Sequence, residues 1–243
     1  MNNTLFPVVI LAGGLATRLH PLTEQFPKSL ISIHGEPFIV HQLRLLHKNH
    51  IQRVVICVGF LGEQIAEFVG DGSQFGLNVT YVYDGPTLLG TGGAIKHALP
   101  FLGSHFFILY GDSYLPCDFQ AVQTAFIKSQ QMALMTVFQN KGIWDVSNIE
   151  FQNKQILVYD KKNRTAKMHY IDYGLGVITA HAFDAVPPNT PYDLADLYQL
   201  LLNKQQLVAH EIHERFYEIG SFAGIKELEY YLTQQEIRNT EKI

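Results

Sequence analysis

The chain has 243 residues, 47% hydrophobic and 16% charged, with a formal net charge of −4. That length supports one sizeable core and one or two domains, and a net negative chain argues against a general nucleic-acid binder, which carries a basic face. Phosphate binding is not excluded, because it needs only local cations and backbone N–H groups. Charged residues are scarce against a typical share of about 25%, so each one beside a loop motif carries weight.

Residues 7–12 (PVVILA) form a continuous apolar run, the pattern of a buried parallel strand. The N-terminal MNNTLFPVVILAGG has no basic start and ends in glycines, so a first strand is expected rather than a signal peptide. Residues 28–33 are a short extended piece before a Gly35-Glu36-Pro37 turn, and 38–48 carry apolar residues at helical spacing. A second buried strand is expected at 53–58 (RVVICV), then a helix at 61–69 that ends at Gly70-Asp71-Gly72. A third strand falls at 78–83, a short helix at 93–99 and a fourth strand at 106–110 (FFILY). A helix at 118–129 and a strand at 132–138 follow. Strand and helix alternating at this spacing predict β-α-β crossovers: a Rossmann-like, mostly parallel sheet with helices on both faces.

From Asn148 onward the pattern changes. Strands at 148–151, 155–159 and 170–179 joined by short polar turns predict a small antiparallel lobe. Residues 194–202 and 224–233 read as helices, and 207–212 as extended. No linker, repeat or low-complexity tract interrupts the chain, so residues 1–243 are expected to form one α/β domain. No run approaches the roughly 18 apolar residues of a membrane span. Cys57 and Cys117 lie far apart without a C-x-x-C pair, as expected of buried thiols in a reducing compartment. A soluble, cytoplasmic protein is expected.

Ligands of open parallel sheets bind beyond the carboxyl ends of the strands. Leu11, Ala12, Gly13 and Gly14 lie at one such end, and Gly111-Asp112 at another. The stretch 11–30, LAGGLATRLHPLTEQFPKSL, opens a strand into two glycines whose bare backbone lets N–H groups approach an anion. Arg18 then offers a planar fork for phosphate oxygens and Lys28 a compact point charge. Gly13-Gly14 alone would be a tight turn; with Arg18, Pro21 and Pro27-Lys28 it suits a nucleoside triphosphate. The loop is neither G-x-G-x-x-G nor G-x-x-x-x-G-K-[ST], so dinucleotide and P-loop readings fail.

The motif L-A-G-G-x-x-T-R-L-x-P-L-T-x-x-x-P-K-S-L resembles the signature of the sugar-1-phosphate nucleotidylyltransferases. The likeness is to short members such as the N-acetylmuramate 1-phosphate uridylyltransferases and heptose 1-phosphate guanylyltransferases. It continues through Gly35-Glu36-Pro37-Phe38, residues 89–94 (LGTGGA), Gly111-Asp112, Tyr173-Gly174 and residues 216–221 (FYEIGS), nearly the whole chain.

The resemblance implies that residues 1–140 bind the nucleotide and residues 141–243 hold the acceptor-binding lobe and C-terminal helices. It implies a glycine loop around the triphosphate, Arg18 on the leaving phosphates and Lys28 at the α-phosphate. It gives Asp112 to Mg²⁺ and matches Glu218 to the second metal carboxylate, where many members carry aspartate. Gly90, Thr91 and Gly92 would lie against base and ribose; read alone, they are a loop before the helix. Lys161 would contact the acceptor's phosphate, a role that the adjacent Lys162 could also take. Asp172 and Gly174 would touch the acceptor sugar. Ala16 departs from the family's usual glycine, which costs roughly 1 kcal/mol if φ must be positive there. The partners implied are an NTP and a sugar 1-phosphate, with no nucleic acid and no membrane.

His210 and His213 do not form H-E-x-x-H and would point to opposite faces of a strand, so they and His41, His47 and His50 are expected to be surface or structural. Trp144 and Asp145 are expected near the acceptor pocket. The resemblance leads to the expectation that the chain lacks the additional C-terminal domain, left-handed β-helix or otherwise, of larger family members. Two further functions fit the same residues: a cytidylyltransferase acting on a non-sugar phosphate such as phosphocholine, and a non-catalytic nucleotide-sugar sensor.

Overall fold

The computed structural model describes residues 4–14, 19 and 23–240, so Ala16, Arg18 and Pro21 lie outside the described residues. The first half contains β1 (Val8–Leu11), β2 (Ser32–Ile33), β3 (Glu36–Pro37), α1 (Phe38–Lys48), β4 (Arg53–Val58), α2 (Gly62–Val69) and β5 (Asn78–Tyr83). Then come α3 (Gly90–Leu102), β6 (His105–Tyr110), β7 (Ser113–Tyr114), α4 (Phe119–Ser129) and β8 (Ala133–Phe138). The second half adds β9 (Ile149–Gln152), β10 (Gln155–Tyr159), β11 (Ile171–Thr179), α5 (Leu194–Asn203), β12 (Leu207–Ile212), β13 (Tyr217–Glu218) and α6 (Phe222–Thr240).

A seven-stranded sheet in the order β12-β8-β11-β6-β1-β4-β5 forms the centre. Its neighbours pair in parallel except at β11, which runs antiparallel to both β6 and β8. The unbroken apolar runs follow from burial on both faces. Val8, Ile10, Val54 and Ile56 point toward Leu43 of α1, Ile65 of α2 and Val122 of α4. Val9, Val55 and Cys57 point the other way, toward Ile95 and Ala98 of α3, in a core completed by Leu197 and Leu201 of α5. Alternate residues of each strand thus serve two separate cores. A smaller cluster of Leu19, Ile33, Phe38, Ile219 and Leu228 docks α6 onto the β2–β3 hairpin.

Four elements differ from expectation. Residues 28–30 form a 3-10 turn before β2. The helix expected at 93–99 begins at Gly90, because Gly92 N and Gly93 N donate to the Tyr192 carbonyl at 2.8 and 3.2 Å, which supplies partners for its first turn. The strand expected in an antiparallel lobe, β11, lies inside the main sheet, and β12 extends that sheet; among the described residues the separate antiparallel pieces are the β9–β10 hairpin, the β7–β13 pair and the β2–β3 hairpin. The last helix runs over Phe222–Thr240 rather than 224–233. Among the described residues no helix is long and apolar enough to cross a membrane.

Three parallel strands end level. Leu11 pairs with Cys57 on one side and Tyr110 on the other. Gly111 N donates to Leu11 O at 2.9 Å, and a Cβ on Gly111 would stand 2.6 Å from that oxygen and 3.0 Å from Ala12 Cα. Backbone cannot yield as a side chain does, so Gly111→Ala should cost about 1–3 kcal/mol in denaturant unfolding. A variant as stable as the parent would show that this approach is not tight.

Candidate active site

Two cavities open at the carboxyl ends of these strands, of about 290 and 280 Å³, and they share Tyr110 and Asp112. The first is walled by Leu11, Ala12, Gly13 and Gly14 after β1, with Lys28, Asp84, Leu88, Gly90 and Thr91 around it. The second is lined by Asp145, Asn148, Lys161, Arg164, Asp172, Gly174 and Glu218, among others.

Asp112 sits where the cavities meet. Lys28 Nζ donates to its Oδ2 at 2.7 Å, a partly buried ion pair. The turn bearing Asp112 is held from below by Gln42, buried in α1, whose amide nitrogen donates to Tyr110 O at 2.9 Å and Ser113 O at 2.7 Å. Ile219 N donates to Asp112 O at 2.9 Å, and the β7–β13 pairing sets Glu218 opposite Ser113. Asp112, just before β7, and Glu218, on β13, therefore both line the second cavity, and Lys28 is paired to Asp112.

In the first cavity, Gly90 and Thr91 line the wall, whereas Gly92 is buried against Tyr192 and its amide is already bonded. The Thr91 hydroxyl accepts from Leu194 N at 2.8 Å and donates to Asp193 at 3.1 Å, tying the start of α3 to the start of α5. Sequence reasoning missed Asp84, which ends β5 as Asp112 ends β6; the strand-end rule that singled out Asp112 would have found it. Burial raises the Asp84 carboxyl above its ordinary value, partly opposed by the Leu89 amide that donates to it at 3.1 Å. Burial, with the nearby Asp84 charge, pushes the Cys57 thiol up to about 12, so this cysteine is no nucleophile at neutral pH.

The second cavity owes its shape to an irregularity in β11. The pairing with β8 shifts register between Asp172 and Gly176, and Gly174 adopts φ +100, which L side chains rarely adopt. Gly174 N donates to Asp172 Oδ1 at 3.0 Å, and the Tyr159 hydroxyl lies 3.5 Å from Oδ2. Asn148 accepts from Asp172 N at 3.1 Å. Burial raises the Asp172 carboxyl above 3.8, opposed by the charge of Lys161. Lys161 Nζ lies over the rings of Tyr110 and Tyr159, at 5.5 and 5.9 Å from their centres, and faces the cavity. Lys162 instead gives its amide to Asp160 in the adjoining turn. Arg164 joins Lys161 at this cavity, and nothing in its sequence context marked it.

Asp145 lines the second cavity, but Trp144 is stacked under the Arg215 guanidinium at 3.3 Å. His41 is structural, its Nε2 2.8 Å from Ile33 O. Among the described residues no group of three or more His, Cys, Asp and Glu could hold a metal on its own.

The family described as nucleotidyl transferase matches residues 7–143, and the chain belongs to it. It is similar to an N-acetylmuramate alpha-1-phosphate uridylyltransferase of Neisseria meningitidis serogroup B, 40% identical over 119 residues that make up 48% of this chain and 52% of the relative. A D-glycero-alpha-D-manno-heptose 1-phosphate guanylyltransferase of Campylobacter jejuni subsp. jejuni is 24% identical over 212 residues, 87% of this chain and 93% of its own. The crystal structure of HddC from Yersinia pseudotuberculosis superimposes with a TM-score of 0.77 at 21% identity, covering 94% of this chain and all of that one. Of the first three curated relatives, the matched stretches make up 52%, 51% and 55%, so the chain spans about half their length.

The raised Asp172 carboxyl makes a stability prediction. An unfolded chain releases this proton near 3.8, the folded chain only at higher pH, so ionisation costs the fold stability as pH rises through that window. The melting temperature of Asp172→Asn should therefore gain on the parent as pH rises above about 4. A difference independent of pH would show that Asp172 is not desolvated.

Proposed function

We propose that this chain transfers a nucleoside monophosphate from an NTP to a sugar 1-phosphate, giving an NDP-sugar and pyrophosphate. The observation that carries this reading is the seam: two cavities share Asp112 and Tyr110, with Lys28 paired to Asp112. In this reading the first cavity takes the NTP and the second the acceptor, a division close to residues 1–140 and 141–243.

The acceptor's phosphate oxygen attacks the α-phosphorus and pyrophosphate leaves in line, so no protein nucleophile is required. Catalysis then rests on positioning and charge. Lys28 neutralises charge at the α-phosphate, and Lys161 with Arg164 holds the acceptor phosphate. Asp172 accepts hydrogen bonds from acceptor hydroxyls. Arg18, outside the described residues, is assigned to the leaving phosphates from its place in the motif.

The donor set suits Mg²⁺: Asp112 and Glu218, both lining the second cavity, offer hard carboxylate oxygens and would hold the ion. When bound, the ion would neutralise phosphate charge as the displacement proceeds. A cytoplasmic site of action without nucleic-acid or membrane partners belongs to the same proposal, supported by the net charge of −4 and by the small polar substrates.

Pyrophosphate release with Mg²⁺, across five NTPs crossed with a panel of sugar 1-phosphates and phosphocholine, tests the reaction. One NTP–sugar 1-phosphate pair should release pyrophosphate, and Asp112→Asn should lower that rate by about a hundredfold or more while its melt stays near the parent's. Release only with phosphocholine would replace the sugar reading. An Asp112→Asn variant as active as the parent would remove Asp112 from the mechanism.

A further inference from the structure

The first cavity has charged side chains at two separated places. Lys28 and Asp112 stand beside the end of β6, and Asp84 stands at the end of β5. The order β6-β1-β4-β5 puts three strand spacings between those ends, about 14 Å at the usual interval. A nucleoside triphosphate is anionic at one end alone, so its phosphates belong with Lys28 and its base lies toward Asp84. The walls there include Gly13, Cys57, Leu88 and Gly90 and are mostly apolar, as suits the faces of a base. A Cβ on Gly13 would lie 3.6 Å from Asp84 Oδ2, so the carboxylate stands across from the bare glycine backbone.

An ionised carboxylate accepts hydrogen bonds and donates none. Leu89 N donates to Asp84 Oδ2 at 3.1 Å, which fixes the side chain and leaves further acceptor capacity on the carboxylate. Guanine offers a carboxylate its N1–H with an amino group alongside; uracil and thymine offer N3–H. Cytosine N3 and adenine N1 are bare ring nitrogens in the corresponding place. Their lone pairs would face those of the carboxylate, so the amino groups of these bases can be reached only beside a repulsive contact.

We propose that Asp84 selects the base by accepting its ring imino N–H, so that the NTP carries guanine, uracil or thymine and not cytosine or adenine. This rests on the first cavity being the NTP site. Asp84 is then a specificity residue that contacts the base and takes no part in the displacement.

The test is calorimetric binding of GTP, UTP, dTTP, CTP and ATP, each with Mg²⁺ and without acceptor, to the parent chain and to Asp84→Asn. The parent should bind its best imino-bearing nucleotide about ten- to a hundredfold more tightly than CTP or ATP, the range of a hydrogen bond to a charged group. Asparagine can keep the Leu89 bond through its carbonyl oxygen while turning an N–H donor toward the base. Asp84→Asn should therefore weaken the imino-bearing nucleotides and strengthen CTP, closing or reversing the gap. Equal binding of CTP by the parent would overturn the proposal, and so would an unchanged ratio in an Asp84→Asn variant that melts like the parent. If the variant does not fold, the parent's panel decides alone. Binding of an NTP without discrimination would sink this inference and leave the transferase reading standing; no binding of any NTP would sink both.

Discussion

The level ending of β1, β4 and β6 is the constraint on which the site rests. Because Leu11, Cys57 and Tyr110 are in register, the chain leaves the sheet at neighbouring points and must turn away at once. Gly111 approaches Leu11 O so closely that a Cβ there would force the backbone to shift, and this approach brings Asp112 beside the glycine loop. Lys28 then reaches Asp112 at 2.7 Å, partly screened from water, where a charge-assisted hydrogen bond is worth more than at the surface.

The second cavity depends on the one strand that runs against the rest. β11 inserts between β6 and β8, and its irregular segment turns Asp172 and Gly174 toward the strand ends that carry Asp112. The same sheet thus supports both cavities: parallel strands supply the first, and the antiparallel strand with its loops supplies much of the second. α6 closes the arrangement by packing against β2–β3, next to the β13 segment that bears Glu218.

Much of this was legible in the residues. Unbroken runs such as VVIL and RVVICV announce strands buried on both faces, and Gly-Asp after FFILY marks a strand end with a hard oxygen ligand. The placement of β11 was not legible, because an apolar strand after a hairpin pairs equally well with its neighbour or with a distant sheet; only the assembled cores decide. The start of α3 was missed for the same reason, since its first amides are bonded by Tyr192, about a hundred residues away in sequence. Asp84 obeys the same strand-end logic as Asp112, but the glycine-rich start of α3 that follows it carries the stronger local pattern. Arg164 carries no local pattern at all; the fold alone brings it to Lys161.

The central claim is that the acceptor, held in the second cavity, attacks the α-phosphorus of an NTP held in the first. An NTP labelled at its α-phosphorus tests this directly when incubated with Mg²⁺ and the sugar 1-phosphate. The label should appear in the NDP-sugar, none in pyrophosphate, and free NMP should stay at background. Label released as NMP regardless of acceptor, or an unlabelled sugar product, would contradict the account.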